Sequence, residues 1–179
     1  FAISNLANTA LMGGILAVVI LLIFLRSFKT TLVIALSIPI SIITTFVILY
    51  FTGITLNMMT IGGLALGIGM LVDNSIVVLE NIYRNRSLGM DRTKASIDGA
   101  NEVTMAVTAS TLTTIAVFIP IVFTGGLAAT IFKDFALSIV IALMSSLMIA
   151  ITLVPMLSSK LVSVKNLESE EAQEKKHGF

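Results

Sequence analysis

The chain has 179 residues, 56% of them hydrophobic, and its mean hydropathy is +1.04. Soluble domains are much less apolar, so the composition predicts an all-α membrane protein, a bundle of transmembrane helices. The net charge of +1 comes without a basic stripe, which argues against a nucleic-acid partner. With no cysteine and a single histidine, His177, we expect no disulfide framework and no metal site.

Five apolar stretches are long enough to cross a bilayer as helices, and they cover residues 7–25, 31–51, 58–83, 103–123 and 135–157. In the polar stretch 87–102, Asp91 is expected to cap a short helix. Gly125 and Gly126 predict a turn before the fifth span. The spans form one transmembrane domain, 1–162, followed by a charged tail, 163–179. Because the chain begins with Phe1 rather than Met, we expect it to be a piece of a longer protein.

The basic residues predict the orientation of the spans. If the spans alternate in direction, Lys133 lies on one side and all the other basic loop and tail residues lie on the opposite side. By the positive-inside rule, the N-terminus is outside and the C-terminus is cytoplasmic. The residues on the cytoplasmic side are Arg26, Lys29, Arg84, Arg86, Arg92, Lys94, Lys160, Lys165, Lys175 and Lys176.

Asp73 lies near the middle of the third span, where a carboxylate costs roughly 3 kcal/mol to insert. Acids at this depth usually bind protons or ions. Burial disfavours the charged form of a carboxyl group and a nearby cation favours it, which is the adjustable balance that a proton carrier needs. The alternative is that Asp73 and Asn74 only hold helices together by hydrogen bonds.

Residues at helical spacing from Asp73 share its face of the third span. They are Gly62, Leu66, Gly69, Ile76 and Glu80. Gly63 and Gly67 form a pair of small residues four apart. We expect the glycines Gly62, Gly63, Gly67 and Gly69 to let a neighbouring helix approach, surround the carboxylate and exclude lipid. Glu80 is a second candidate for proton translocation, although it would also be explained by pairing with Arg84.

The fourth span carries a row of hydroxyl groups. Thr104, Thr108 and Thr111 share a face, so they are candidates to donate hydrogen bonds to Asp73 or to line a hydrated path. The alternative is structural, because serine and threonine in membrane helices can bond back to the carbonyl one turn earlier.

Three stretches resemble a known family. Gly67–Asn81, with the sequence GIGMLVDNSIVVLEN, is similar to the fourth transmembrane helix of the resistance, nodulation and division (RND) superfamily of efflux transporters, in its multidrug branch. Ala95–Val103 and Thr108–Pro120 resemble the loop and the fifth helix that follow. The resemblance covers nearly all of 1–162 and implies the second to sixth transmembrane helices of the first of two homologous halves.

The resemblance implies proton-driven export of drugs or amphiphilic compounds across the bacterial inner membrane, with no enzymatic activity and no cofactor. The implied partners are membrane lipid, protons, the exported substrate, the second half and further copies in a trimer. Asp73 matches the first of two adjacent acids that work with a lysine of the other half. Asn74 departs from the pattern, because it replaces the second acid and cannot ionise. Glu80 and Asn81 also match.

Two other functions are compatible with the same residues. Five helices in this order also resemble sterol-sensing domains of eukaryotic relatives, which would make the segment a lipid-binding module without transport. An assembly scaffold is the third possibility, and it predicts that a neutral polar residue at position 73 leaves function intact. We expect the isolated fragment to transport nothing, because half of the proton site belongs to the other half of the transporter.

Overall fold

The computed structural model describes residues 19, 20, 22, 28–123 and 125–161. Besides the helical residues 19, 20 and 22, the described residues form four helices and no strand: α1 (Phe28–Phe51), α2 (Met58–Ser87), α3 (Arg92–Phe123) and α4 (Leu127–Leu161). They contain 24, 30, 32 and 35 residues. All four are long and apolar enough to cross a membrane. The prediction of an all-α membrane protein is confirmed.

Helices α1 to α4 cover the second to fifth predicted spans. Helices α2, α3 and α4 extend well beyond the spans that they cover. Of the first predicted span, 7–25, only residues 19, 20 and 22 are described. The tail 163–179 lies entirely outside the described residues. The prediction of a separate short helix after Asp91 is wrong, because the helix that begins at Arg92 continues without a break into the fourth span. Asp91 does cap it, since its Oδ2 accepts the Thr93 N–H at 3.2 Å.

The first turn of α2 is fixed by a reciprocal cap. Asn57 Oδ1 accepts the N–H groups of Met59 and Thr60 at 2.8 and 3.0 Å, and Thr60 Oγ1 accepts the Asn57 N–H at 2.7 Å. Asn57 Nδ2 also donates to Asp134 Oδ2 of α4 at 3.1 Å. The start of α2 is therefore joined to the early part of α4.

At the other end of α2, the chain turns into α3 within a few residues. Gly89 adopts a φ of 86°, a left-handed conformation that glycine takes without a steric penalty. The N–H groups of Leu88 and Gly89 donate to the carbonyls of Arg84 and Arg86 at 3.2 and 3.0 Å. The short connection makes α2 and α3 antiparallel neighbours.

Helix α4 lies at the centre and packs against the other three helices, and α2 packs against it most extensively. Helix α3 is the most exposed. The main apolar core draws side chains from all four helices, and its members are Val33, Ile34, Val78, Leu79, Ile82, Ala100, Val107, Leu147, Ala150 and Val154. This core lies between Asp73 and the α2–α3 turn, so it supports one half of the helix that carries the acid.

Candidate functional site

Asp73 lies in the middle of α2, about 22 Å from each end of the helix at 1.5 Å per residue. Its side chain is exposed in the described part of the chain. Of the residues predicted to share its face, Gly62, Leu66, Gly69 and Glu80 are exposed, whereas Ile76 is half-buried and packs against the main core. Val77, one turn from Asp73, is exposed as well. None of α1, α3 or α4 therefore covers the face that carries the acid.

None of the four described helices surrounds Asp73, so the expectation that Gly62, Gly63, Gly67 and Gly69 let a helix approach it stays a prediction. Gly63 and Gly67 do meet a neighbour closely, but this neighbour is α4, on another side of α2. A Cβ at Gly63 would lie 2.6 Å from the Phe135 carbonyl oxygen, and one at Gly67 would lie 2.7 Å from Ala142 Cβ. The two buried glycines thus set the distance between α2 and α4.

The other two predicted packing glycines lie on the exposed side. A Cβ at Gly69 would meet nothing within 4 Å, and one at Gly62 would meet only the ring of Phe135 at 3.8 Å. The physical reason is the helical period: Gly69 is one turn from Asp73, whereas Gly63 and Gly67 point more than 60° away from it.

Three consecutive polar residues of α2 point in three directions. Asp73 points outward, and Asn74 points to α3, where its Oδ1 lies 3.3 Å from Thr111 Oγ1. Ser75 is buried against α1, with its Oγ 3.5 Å from Ser37 Oγ. Successive residues of a helix are about 100° apart. The short segment 73–75 can therefore contact a neighbouring helix on each of two sides and leave the acid on the uncovered side.

The hydroxyl row of α3 does not converge on Asp73. Thr111 is buried and donates to the Val107 carbonyl at 2.8 Å as well as facing Asn74. Thr104 donates to the Ala100 carbonyl at 2.7 Å, and Thr108 is half-buried. The structure brings Thr111 to the amide next to the acid, and the back-bonding alternative describes both Thr104 and Thr111.

A polar clamp joins α2 to α3 beyond Glu80, and the residues of this clamp were not predicted from the sequence as a group. Asn81 Nδ2 donates to the Gly99 carbonyl at 2.8 Å and to Glu102 Oε2 at 2.7 Å. Asn85 Nδ2 lies 3.4 Å from the same oxygen. Glycine is needed at position 99, because a Cβ there would lie 2.9 Å from the Ile82 Cα.

Glu80 itself is exposed, as is Arg84, so the structure leaves both free to face solvent or another element. Within the described ranges, no three His, Cys, Asp or Glu side chains come together as they would to hold a metal ion. The site therefore consists of two carboxyl groups, Asp73 and Glu80, two turns apart on an uncovered helix face, with amides and hydroxyls beside them.

Comparison with known proteins gives one consistent result. The family model of the AcrB/AcrD/AcrF family matches residues 1–178. The swarming motility protein SwrC of Bacillus subtilis is 42% identical over 179 residues, which is 98% of this chain and 17% of that protein. The multidrug resistance protein MdtC of Pectobacterium carotovorum is 35% identical over 178 residues, 99% of this chain and 17% of the relative.

MdtC of Escherichia coli strain K12 is 35% identical over 156 residues, which cover 87% of this chain and 15% of the relative. The chain thus spans less than a fifth of the length of these relatives.

Proposed function

This chain belongs to the AcrB/AcrD/AcrF family, and from that premise we propose that it supplies membrane helices of a proton-driven exporter of drugs or amphiphilic compounds. The names of the MdtC relatives, which are multidrug resistance proteins, support export as the function. In the orientation that we propose, the Asn57 end of α2 faces the outside and the Arg86 end faces the cytoplasm, as the distribution of basic residues indicates.

The observation that carries the proposal is the uncovered face of α2 around Asp73. A carboxylate in the middle of a membrane helix is costly unless something pairs with it or neutralises it. Since α1, α3 and α4 lie elsewhere, we assign this face to the second half of the full-length protein, which covers Asp73 and contributes a lysine to it. The exposed glycines Gly62 and Gly69 on the same face allow that half to approach closely.

Asp73 works in this proposal by changing its charge. When it is protonated it is neutral and needs no counter-ion; when it is deprotonated it pairs with the lysine. A membrane potential contributes about 2.3 kcal/mol per charge per 100 mV, which is enough to bias a rearrangement that costs a few kcal/mol. Because Asn74 cannot ionise, the chain offers one acid at this level, and Asn74 with Thr111 orients the segment rather than carrying a proton.

Glu80 and Thr108 have supporting roles in the proposal. Glu80 shares the face of Asp73 and lies two turns, about 10 Å, closer to the cytoplasmic end, so it is placed to exchange protons with the cytoplasm. Thr108 lies one turn from Thr111 on α3 and offers a further hydroxyl along the path. Both roles depend on water reaching the covered face in the assembled transporter.

The test uses Asp73→Asn in the full-length protein that carries this segment. We expect the variant to reach the membrane in normal amounts and to lose proton-dependent export. Asp98→Asn is the matched control, because it makes the same acid-to-amide change in the first turns of α3, away from the bilayer centre, and we expect it to keep export. If Asp73→Asn exports normally, the scaffold or lipid-binding alternative is the better one.

A direct readout is the protonation of Asp73 in bilayers. Infrared difference spectra of the full-length protein, recorded as the pH is changed, should contain a band of a protonated carboxyl group that disappears in Asp73→Asn and persists in Asp98→Asn. If no such band depends on Asp73 at any pH at which the protein stays folded, proton transport through this residue is excluded.

A further inference from the structure

Arg86 is a buried charge at the end of α2 with incomplete hydrogen bonding. Its side chain is 3% exposed, and its Nη1 donates to the Met90 carbonyl. Its Nε and Nη2 are buried and have no hydrogen-bond partner among the described residues. A guanidinium group stays charged in proteins and has only donors, so these atoms call for an acceptor, preferably an anion.

Two buried serines also lack hydrogen-bond partners for their side chains among the described residues. Ser96 of α3 is 3% exposed and Ser158 of α4 is 1% exposed, and the Oγ atoms of both lack a hydrogen-bond partner in the described ranges. Other buried serines of α4 behave differently: Ser138 and Ser145 donate to the carbonyl one turn earlier, at 2.7 and 2.8 Å. The hydroxyls of Ser96 and Ser158 are therefore available as donors.

The packing of the helices places these groups at one level. Ile82 of α2 faces Gly99 of α3, so one turn further along this antiparallel pair Arg86 is level with Ser96. Helices α2 and α4 run in the same direction, and Gly63 and Gly67 face Phe135 to Ala142; the same register brings Arg86 level with Ser158. This level lies one turn beyond the apolar core that contains Ile82.

The depth of this level in the bilayer matches the lipid phosphates. Arg86 follows Asp73 by 13 positions, which is about 20 Å along a helix. With Asp73 near the bilayer centre, the hydrocarbon ends about 15 Å away and the headgroup layer at about 20–22 Å. The guanidinium therefore lies where phospholipid phosphates lie, on the side that we propose is cytoplasmic.

The local charge also favours an anion. Helix α3 begins at Arg92, and the N-terminus of a helix carries a partial positive charge. Exposed Lys94 adds a cation in the same turn. Asp91, the nearby carboxylate, offsets part of this positive charge at Arg86, and its Oδ2 accepts the Thr93 N–H at the helix cap.

We infer that Arg86, Ser96 and Ser158 bind the phosphate group of a phospholipid in the cytoplasmic leaflet. All three offer donors, and the oxygens of a phosphodiester accept hydrogen bonds without donating any. Access requires the α2–α3 turn to move, since the Met90 carbonyl closes one side. This turn lies at the surface, since Leu88 is 69% exposed and a Cβ at Gly89 would meet nothing within 4 Å.

The test measures how lipids raise the unfolding temperature of the purified chain in neutral detergent. The probes are phosphatidylglycerol, phosphatidylcholine, diacylglycerol, which lacks the phosphate, and inorganic phosphate. We expect both phospholipids to stabilise the chain and diacylglycerol to have no effect. Arg86→Gln should weaken the apparent phospholipid affinity about tenfold or more, as expected for the loss of charge-assisted hydrogen bonds. Arg84→Gln, the same change at an exposed position, should respond like the wild type.

The serine variants keep the test informative if Arg86→Gln does not fold. Ser96→Ala and Ser158→Ala remove hydroxyls that have no hydrogen-bond partner in the described part of the chain, so both should leave the lipid-free unfolding temperature unchanged or higher. Both should still reduce the lipid response. Equal stabilisation by diacylglycerol, or an unchanged phospholipid response in Arg86→Gln and in both serine variants, would overturn the site. Equal stabilisation by inorganic phosphate would overturn its assignment to lipid. The inference rests on the proposed function for its depth and leaflet, but the Asp73 side chain is not part of the phosphate site, so Asp73→Asn should respond like the wild type.

Discussion

Replacing Gly63 with alanine tests how closely α2 approaches α4. The new Cβ would lie 2.6 Å from the Phe135 carbonyl oxygen and 3.1 Å from Ser138 Cβ. Ordinary van der Waals contact begins at about 3.4 Å, so α4 would have to move by about 0.8 Å. Overpacking of this kind costs roughly 1–3 kcal/mol. It opposes the gain of about 1 kcal/mol in helix propensity that alanine has over glycine.

Gly69→Ala is the matched control, because it makes the same change in the same helix where a Cβ meets nothing within 4 Å. The free energy of unfolding, measured by titration with a denaturing detergent in mixed micelles, should be lower for Gly63→Ala than for Gly69→Ala by roughly 1–3 kcal/mol. Equal values for the two variants would refute the close approach of α2 and α4.

Exchanging a glycine of α2 and an alanine of α4 also tests how closely the two helices approach. Gly67→Ala places its Cβ 2.7 Å from Ala142 Cβ and should also destabilise the chain. Ala142→Gly removes the atom that it meets, so the double variant should be more stable than the sum of the single effects by more than about 0.5 kcal/mol. Strict additivity would show that the two positions are not in contact.

Thr111→Val should lower the free energy of unfolding by about 1 kcal/mol, because it leaves Asn74 without its hydroxyl neighbour. Thr113→Val, at an exposed position, should change it by less than about 0.5 kcal/mol. Titration in mixed micelles compares the two variants. Asn57→Ala should lower the free energy of unfolding by roughly 0.5–2 kcal/mol, since it removes the cap of α2 and the hydrogen bond to Asp134. Hydrogen exchange at the start of α2 should increase, and unchanged exchange would contradict this. The purified chain in liposomes should show no substrate-driven proton flux above that of Asp73→Asn, and coupled flux that depends on Asp73 would contradict the need for a second half.

Much of the fold follows from the sequence because length and hydropathy are enough to define membrane helices. The helices over the second to fifth spans are set by apolar runs of about 20 residues or more. Their ends were less predictable. Nothing between Arg92 and Val103 stops a helix, so the polar segment continues into α3, although hydropathy alone separates the two.

The site was only partly predictable, because a helical period assigns residues to a face but not to a neighbour. The sequence placed Asp73, Gly69 and Glu80 on one face, and these residues do share it. Which helix packs on which face depends on the tertiary arrangement, so the sequence did not reveal that Gly63 and Gly67 contact α4. The clamp at Asn81 was missed because its partners come from a different helix, although a glycine inside a helical stretch, Gly99, was a usable signal.

Helix α2 is anchored near both of its ends, to two different helices. Asn57 at one end donates to Asp134 of α4, and Asn81 near the other donates to Gly99 and Glu102 of α3. Sliding α2 lengthwise by a turn would break both anchors together. A piston-like stroke of α2 against α3 and α4 is therefore unfavourable.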